Sequence, residues 1–280
     1  MSILNTILLA IVQGLTEFLP VSSSGHLVLA GAALDLQSPG IMLEVSLHFG
    51  TLLAILAVFG SDVAELARDG WRGLRMLADG RREAIPSEAP RFYTCVALLV
   101  GTLPAALAGT MLDDFIRPLF EGNLPACGGF LILTGVVLLS TRLADQGEDR
   151  QTGVLKGLGI GAAQALALLP GISRSGMTIA AGLHLNLERE NAARFAFLLA
   201  IPAMLGAQAW ELLGGAGSGL SVRGWMLLGL GAATSAAVGV AALLVLLPLV
   251  QRGKLHLFAY YCIPVGAVTA FLGLSGLGGA

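Results

Sequence analysis

Two short polar runs stand in a chain that is otherwise built almost wholly of apolar residues, and both are made of groups that handle phosphate. The first is Gln13-Gly14-Leu15-Thr16-Glu17-Phe18-Leu19-Pro20-Val21-Ser22-Ser23-Ser24-Gly25-His26. Gln13 and Glu17 are four residues apart, so on a helix they share a face. Pro20 ends that helix, and the serines can cap the next one. A carboxylate inside an apolar segment is costly and marks function by default. A structural glutamate satisfied by the serine loop accounts for Glu17 alone, but poorly for Glu17, three serines and His26 together.

The second run is Pro170-Gly171-Ile172-Ser173-Arg174-Ser175-Gly176-Met177-Thr178. An arginine in such a segment costs about 2.5–3.5 kcal/mol to insert. Its natural partners are Glu17 or an anionic ligand. Ser173, Ser175, Gly176 and Thr178, with the free N–H groups at a helix start, can cradle a phosphate. Neither the spacing nor the lysine of a Walker loop is present. Arg174 could also be a clip that pairs with Glu17 and pins two segments together, but the neighbouring hydroxyls and glycines add nothing to a clip.

The elements that must position these groups are transmembrane. The 280 residues are 55% hydrophobic and 12% charged, with a mean hydropathy of +0.81. Soluble domains carry about 25% charged residues, so most of this surface must face lipid. Apolar stretches over 42–60, 92–111, 125–141, 195–213, 225–250 and 255–275 approach the roughly 20 residues a bilayer core requires. Residues 3–34 and 155–183 are apolar but broken at Pro20–His26 and Pro170–Thr178. Irregular backbone at such depth predicts re-entrant hairpins whose breaks are buried in protein or line a cavity.

A shift of 151 residues places Gln13 on Gln164, Ser22 on Ser173, Ser24 on Ser175, Gly25 on Gly176 and Gly31 on Gly182. Each broken segment precedes three whole spans, and an odd number of crossings inverts the second half. The expectation is an all-α polytopic membrane protein with six transmembrane helices and two broken-helix hairpins. It forms one integral domain over 1–280, with inverted-topology repeats over about 1–141 and 152–280. If the loops 61–91, 142–156, 184–194 and 251–254 are cytoplasmic, they hold 13 of the 16 Lys and Arg, against Arg117 and Arg223 outside. This asymmetry sets the orientation, with both termini outside. The loop 61–91 mixes Arg with Asp and Glu and reads as a solvated amphipathic connector. The start of the chain lacks the basic region and cleavage site of a signal peptide, so its first apolar stretch is expected in the mature protein.

Cys95, Cys127 and Cys262 lie in apolar stretches without ligand spacing and read as small buried hydrophobes. His184 and His256 fall near membrane ends and read as interfacial packing. His48 could line the site, though a satisfied structural histidine accounts for it as well.

Both motifs resemble the undecaprenyl-diphosphate phosphatase family associated with bacitracin resistance, from Gln13 to His26 and from Pro170 to Thr178. Glu44 and the run His48-Phe49-Gly50-Thr51 also resemble that family's next helix. The resemblance implies hydrolysis of a C55 isoprenoid diphosphate to the monophosphate, recycling the carrier lipid for cell-wall synthesis. It places the protein in the bacterial inner membrane as a multi-pass enzyme whose site opens to the outer side. It further implies a divalent cation, Mg2+ or Ca2+, held with help from Glu17 and Gln13. Arg174 would hold the diphosphate, with Ser22, Ser173, Ser175, Gly176 and Thr178 around it. Ser23, His26 and water remain open as the nucleophile. Position 13 departs from the family's usual glutamate, so Glu17 carries the ionised role alone. The expected partners are a polyprenyl diphosphate and bilayer lipid. No nucleic acid is expected, and a homodimer is allowed. The competing reading is a polyprenyl-phosphate flippase or transporter that uses the same anion site.

Overall fold

The structure, a computed structural model, describes residues 2–33, 41–120, 123–144, 147–214 and 220–275. Twelve α-helices account for most of them, and among the described residues no β-strand forms. In chain order they are α1 Ile3–Phe18, α2 Ser23–Ala33, α3 Ile41–Ala78, α4 Ile85–Glu88, α5 Phe92–Met111, α6 Asp113–Phe120 and α7 Leu124–Ser140. Then follow α8 Val154–Leu166, α9 Arg174–His184, α10 Arg189–Leu213, α11 Val222–Gln251 and α12 Ala259–Leu274. Five stretches are long and apolar enough to cross a membrane: α3, α5, α10, α11 and Leu255–Leu274, which is α12 with the 3-10 turn before it. The sixth expected span is α7, with 17 residues. At 1.5 Å per residue it is about 25 Å long, some 5 Å short of a hydrocarbon core. The chain is thus a helical, multi-pass membrane protein. The side chain of Arg117 and residues 276–280 lie outside the described residues.

Both polar runs interrupt helices. Leu19 leaves helical geometry at φ −60°, ψ 137°, the extended conformation that a following proline imposes. Ser22 then turns the chain with φ +69°, and α2 starts at Ser23. In the second run the turn is made by Gly171 at φ +99°. A Cβ there would sit 2.3 Å from the Cys127 carbonyl oxygen, so both conformation and space require glycine.

The helices pair in a regular way. α5 packs on α8 and α1 on α11, α3 lies against α11, and α7 against α12. Small residues permit these approaches: a Cβ on Gly161 would meet the Gly101 carbonyl at 2.0 Å, and one on Gly128 the Gly266 carbonyl at 2.5 Å. Close backbone packing of this kind holds helices together where lipid supplies no hydrophobic drive. The core between α1, α3 and α10 is aromatic, with Phe197 5.8 Å from both Phe18 and Phe59 by ring centroid. Leu99, Leu103 and Leu107 of α5 are exposed, one per turn, as a lipid-facing stripe requires.

Candidate active site

The two breaks touch. A Cβ on Gly176 would lie 3.3 Å from Pro20 Cβ, and one on Gly25 would lie 3.3 Å from Gly171 Cα. The hydrogen bonds inside the breaks correspond pair by pair. Gly25 N–H donates to Ser22 Oγ at 3.3 Å, and Gly176 N–H donates to Ser173 Oγ at 3.1 Å. Ser22 and Ser24 hydroxyls meet at 3.3 Å, Ser173 and Ser175 hydroxyls at 3.2 Å. Thr178 Oγ1 donates to the Arg174 carbonyl at 2.8 Å. Ser22, Ser173, Ser175 and Thr178 are all buried, so of the expected substrate-binding hydroxyls these four sit within the scaffold of the breaks. The partly exposed groups are Ser23, Ser24, His26, His48 and Arg174.

Glu17 is the hub. One carboxylate oxygen pairs with Arg174 Nη2. The other accepts from Ser23 Oγ at 2.5 Å and from Gln13 Nε2 at 2.9 Å, with His48 Nε2 at 3.7 Å. The Glu17 side chain is 5% exposed. Arg, Ser and Gln all donate to this one carboxylate. Arg174 spends only Nη2 on these contacts, to Glu17 and to Met204 Sδ at 3.5 Å. Its remaining N–H groups have no partner among the described residues, leaving one side of the fork for an anion.

Both histidines have a fixed tautomer. His26 Nδ1 is 2.8 Å from the Ser22 carbonyl, and His48 Nδ1 is 2.8 Å from the Glu44 carbonyl. A carbonyl can only accept, so Nδ1 carries the proton and Nε2 the lone pair in each neutral ring. His26 Nε2 accepts from the Tyr261 hydroxyl at 2.7 Å. His48 Nε2 faces Glu17, which brings His48 to the site.

Gln13 Oε1 is buried without a hydrogen-bond partner, an uncommon state for a side-chain oxygen. It is an oxygen donor on the other arm of the amide whose Nε2 is turned to Glu17. Among the described residues no three His, Cys, Asp or Glu side chains cluster as a metal nest, so a cation here would need amide, hydroxyl and substrate oxygens as well. His184 donates to or accepts from Ser140 at 2.9 Å and His256 Nδ1 donates to the Gly253 carbonyl at 3.2 Å, both away from the breaks.

Three contributors escaped sequence reasoning. Thr134 of α7 accepts from Ser173 N–H at 3.0 Å and donates to the Gly171 carbonyl at 3.0 Å, pinning the second break. Tyr261 orients His26, and Cys262 Sγ donates to the Pro20 carbonyl at 3.4 Å. All sit in apolar spans, where a lone Thr, Tyr or Cys gives no signal of its partner. The packed pair α7 and α12 thus backs both breaks.

The model of the family described as bacitracin resistance protein BacA matches residues 6–268. A protein of Desulfosudis oleivorans named undecaprenyl-diphosphatase is 43% identical over 273 residues, covering 96% of this chain and 97% of its own length. Proteins with the same name from Salinibacter ruber and Halothermothrix orenii are 39% and 37% identical, again over 96% and 97% of this chain and 98% of theirs.

Proposed function

This chain belongs to the BacA bacitracin-resistance family, and from that premise we propose that it hydrolyses undecaprenyl diphosphate to undecaprenyl phosphate and inorganic phosphate. The flippase alternative draws no support from the relatives, which are named for hydrolysis. The observation that carries the mechanism is one carboxylate with Ser23 on one oxygen and Arg174 on the other.

Ser23 is the nucleophile in this reading. Its Oγ attacks the terminal phosphorus as its proton passes to Glu17. The Oγ–P bond forms, the bridging P–O bond breaks, and the polyprenyl monophosphate leaves. Water then attacks the phosphoserine, Oγ recovers the proton from Glu17, and inorganic phosphate departs. Arg174 binds phosphoryl oxygens through the free side of its fork, where placed positive charge is worth most in a water-poor site. The N-terminus of α9, built by Ser173, Ser175, Gly176 and Thr178, and that of α2, capped by Ser22, add partial positive charge. His26 has both ring nitrogens engaged, by the Ser22 carbonyl and the Tyr261 hydroxyl, and orients the incoming group or water once Tyr261 releases Nε2.

The oxygens of Gln13 and Glu17 suit Mg2+ or Ca2+, which take one or two protein carboxylates or carbonyls together with substrate phosphates. A bound cation would supply charge neutralisation at the diphosphate. The repeats over about 1–141 and 152–280, with α1–α2 and α8–α9 as re-entrant hairpins, are supported by the matched caps and serine pairs. The Lys and Arg distribution supports an inner-membrane orientation with the site open to the outer side.

Acid quenching during turnover of a polyprenyl diphosphate labelled at its terminal phosphate tests the nucleophile. Acid-stable label on the protein, absent in Ser23→Ala, is the expected result. Label that survives only an alkaline quench, persists in Ser23→Ala and disappears in His26→Ala would overturn the assignment, since phosphohistidine is an acid-labile phosphoramidate.

A further inference from the structure

α3 is 38 residues long, about 57 Å at 1.5 Å per residue, nearly twice a bilayer core. Its first half, to about Phe59, suffices to cross. At Phe59 the backbone leaves helical geometry, with φ −110° and ψ 18°, and the helix resumes as Gly60–Ala78. This second half crosses the start of α5. Cys95 Sγ donates to the Leu66 carbonyl at 3.1 Å, Arg91 N–H donates to Asp69 at 3.1 Å, and Phe92 fills the space above Gly73. Leu66 to Gly73 thus lie against Arg91 and the first residues of α5, which sets the extension beside the end of that helix, where its apolar span begins.

The outward face of the extension carries two adjacent stripes. Ala67, Trp71, Leu74 and Ala78 follow the spacing i, i+4, i+7, i+11, and so do Arg68, Arg72, Arg75 and Asp79. All eight are exposed, Trp71 at 60% and Leu74 at 56%. Arg75 lies 4.8 Å over the Trp71 ring. Asp62, Leu66, Asp69, Gly73 and Met76 fill the opposite, buried face. No ion pair among the described residues involves Arg68, Arg72 or Arg75. A connector in water has no use for an exposed tryptophan and leucine side by side. An apolar stripe flanked by arginines is the pattern of a helix lying in the headgroup layer.

Arg72 Nη1 donates to the Glu88 carbonyl at 2.9 Å. We infer that Gly60–Ala78 is an interfacial helix that binds anionic phospholipid headgroups, with Trp71 and Leu74 in the acyl boundary and Arg68 and Arg75 on the phosphates. A second copy of the chain is the poorer occupant, because a two-fold contact through this face would set like-charged arginine rows together. Each arginine near an anionic surface contributes about fivefold in affinity.

The test uses the full chain in nanodiscs, with Trp210 and Trp225 changed to Phe so that Trp71 reports alone. Its quenching by brominated phosphatidylglycerol is compared with that by brominated phosphatidylcholine at equal mole fraction. Stronger quenching by the anionic lipid is expected, with the preference falling at least about tenfold in Arg68→Gln/Arg75→Gln. Neither residue touches the active site, so phosphate release should persist and certify the fold. Absence of quenching by either lipid would place Trp71 in water or in a protein contact and overturn the inference. Equal quenching by both lipids, or a preference unchanged in the double variant, would overturn the headgroup assignment.

Discussion

At the residue scale the question is whether Arg174 serves the substrate or only Glu17. The geometry leaves room for both, because one nitrogen is spent on Glu17 and Met204 and the rest of the fork has no partner among the described residues. Lysine keeps the charge but not the fork. Arg174→Lys should therefore retain near-normal thermal unfolding in detergent and lose about 100-fold in kcat/KM. Full activity per folded molecule would reduce Arg174 to a clip. Arg174→Ala leaves a carboxylate that is 5% exposed without its cation and should cost about 3 kcal/mol of stability. Pairing it with Glu17→Gln should recover stability and no activity, since a neutral amide cannot take the Ser23 proton. Position 13 is a separate case. Gln13→Glu adds a second carboxylate donor where Oε1 now stands unpartnered. Its expected outcome is retained or improved turnover with tighter apparent dependence on Mg2+ or Ca2+, read by titrating the cation against phosphate release.

At the element scale the breaks are held from behind, and Thr134 is the clearest hold. Its hydroxyl satisfies a buried N–H and a buried carbonyl of the second break at once. Thr134→Val keeps the shape and leaves both backbone groups unpaired, a loss of about 1–3 kcal/mol. The same change should lower kcat, because Ser173 caps α9 and Arg174 begins it. Thr134→Ser restores the hydroxyl and should restore both. Thermal unfolding and phosphate release on the three proteins check this, and a Thr134→Val protein with normal kcat would show that the break holds its own conformation.

At the scale of the whole molecule, the orientation proposed rests on charge. The loops assigned to the cytoplasm hold 13 of 16 Lys and Arg, and several of these are built into a polar knot. Asp62 of α3 accepts from Arg91 at 2.7 Å and from Arg194 of α10 at 3.0 Å, tying α3, the start of α5 and α10 together on that side. Asp79, exposed at the end of the interfacial helix, offers a reporter. Asp79→Cys in intact cells should resist a membrane-impermeant maleimide and label only after the inner membrane is opened. Labelling from outside would reverse the topology.

The sequence alone determined the membrane class, the positions of both breaks and the identity of the charged groups in them. The reason is energetic. A carboxylate or guanidinium within an apolar run carries a cost legible in one dimension, and Pro20 and Gly171 leave their marks in the same way. It also left Arg174 with two candidate partners, Ser23 and His26 with one candidate role, and His48 open between lining the site and a structural role. Only the tertiary structure decided that Ser23 lies on the Glu17 carboxylate, that His26 is turned to Tyr261 and that His48 faces the same glutamate. The exposure of Trp71 in the connector over 61–91 likewise depends on which face α5 covers. His26 and Tyr261, 235 residues apart, meet through the way helices pack, and even Ser23 and Glu17, six apart, meet only because the break between them folds back, which no spacing along the chain encodes.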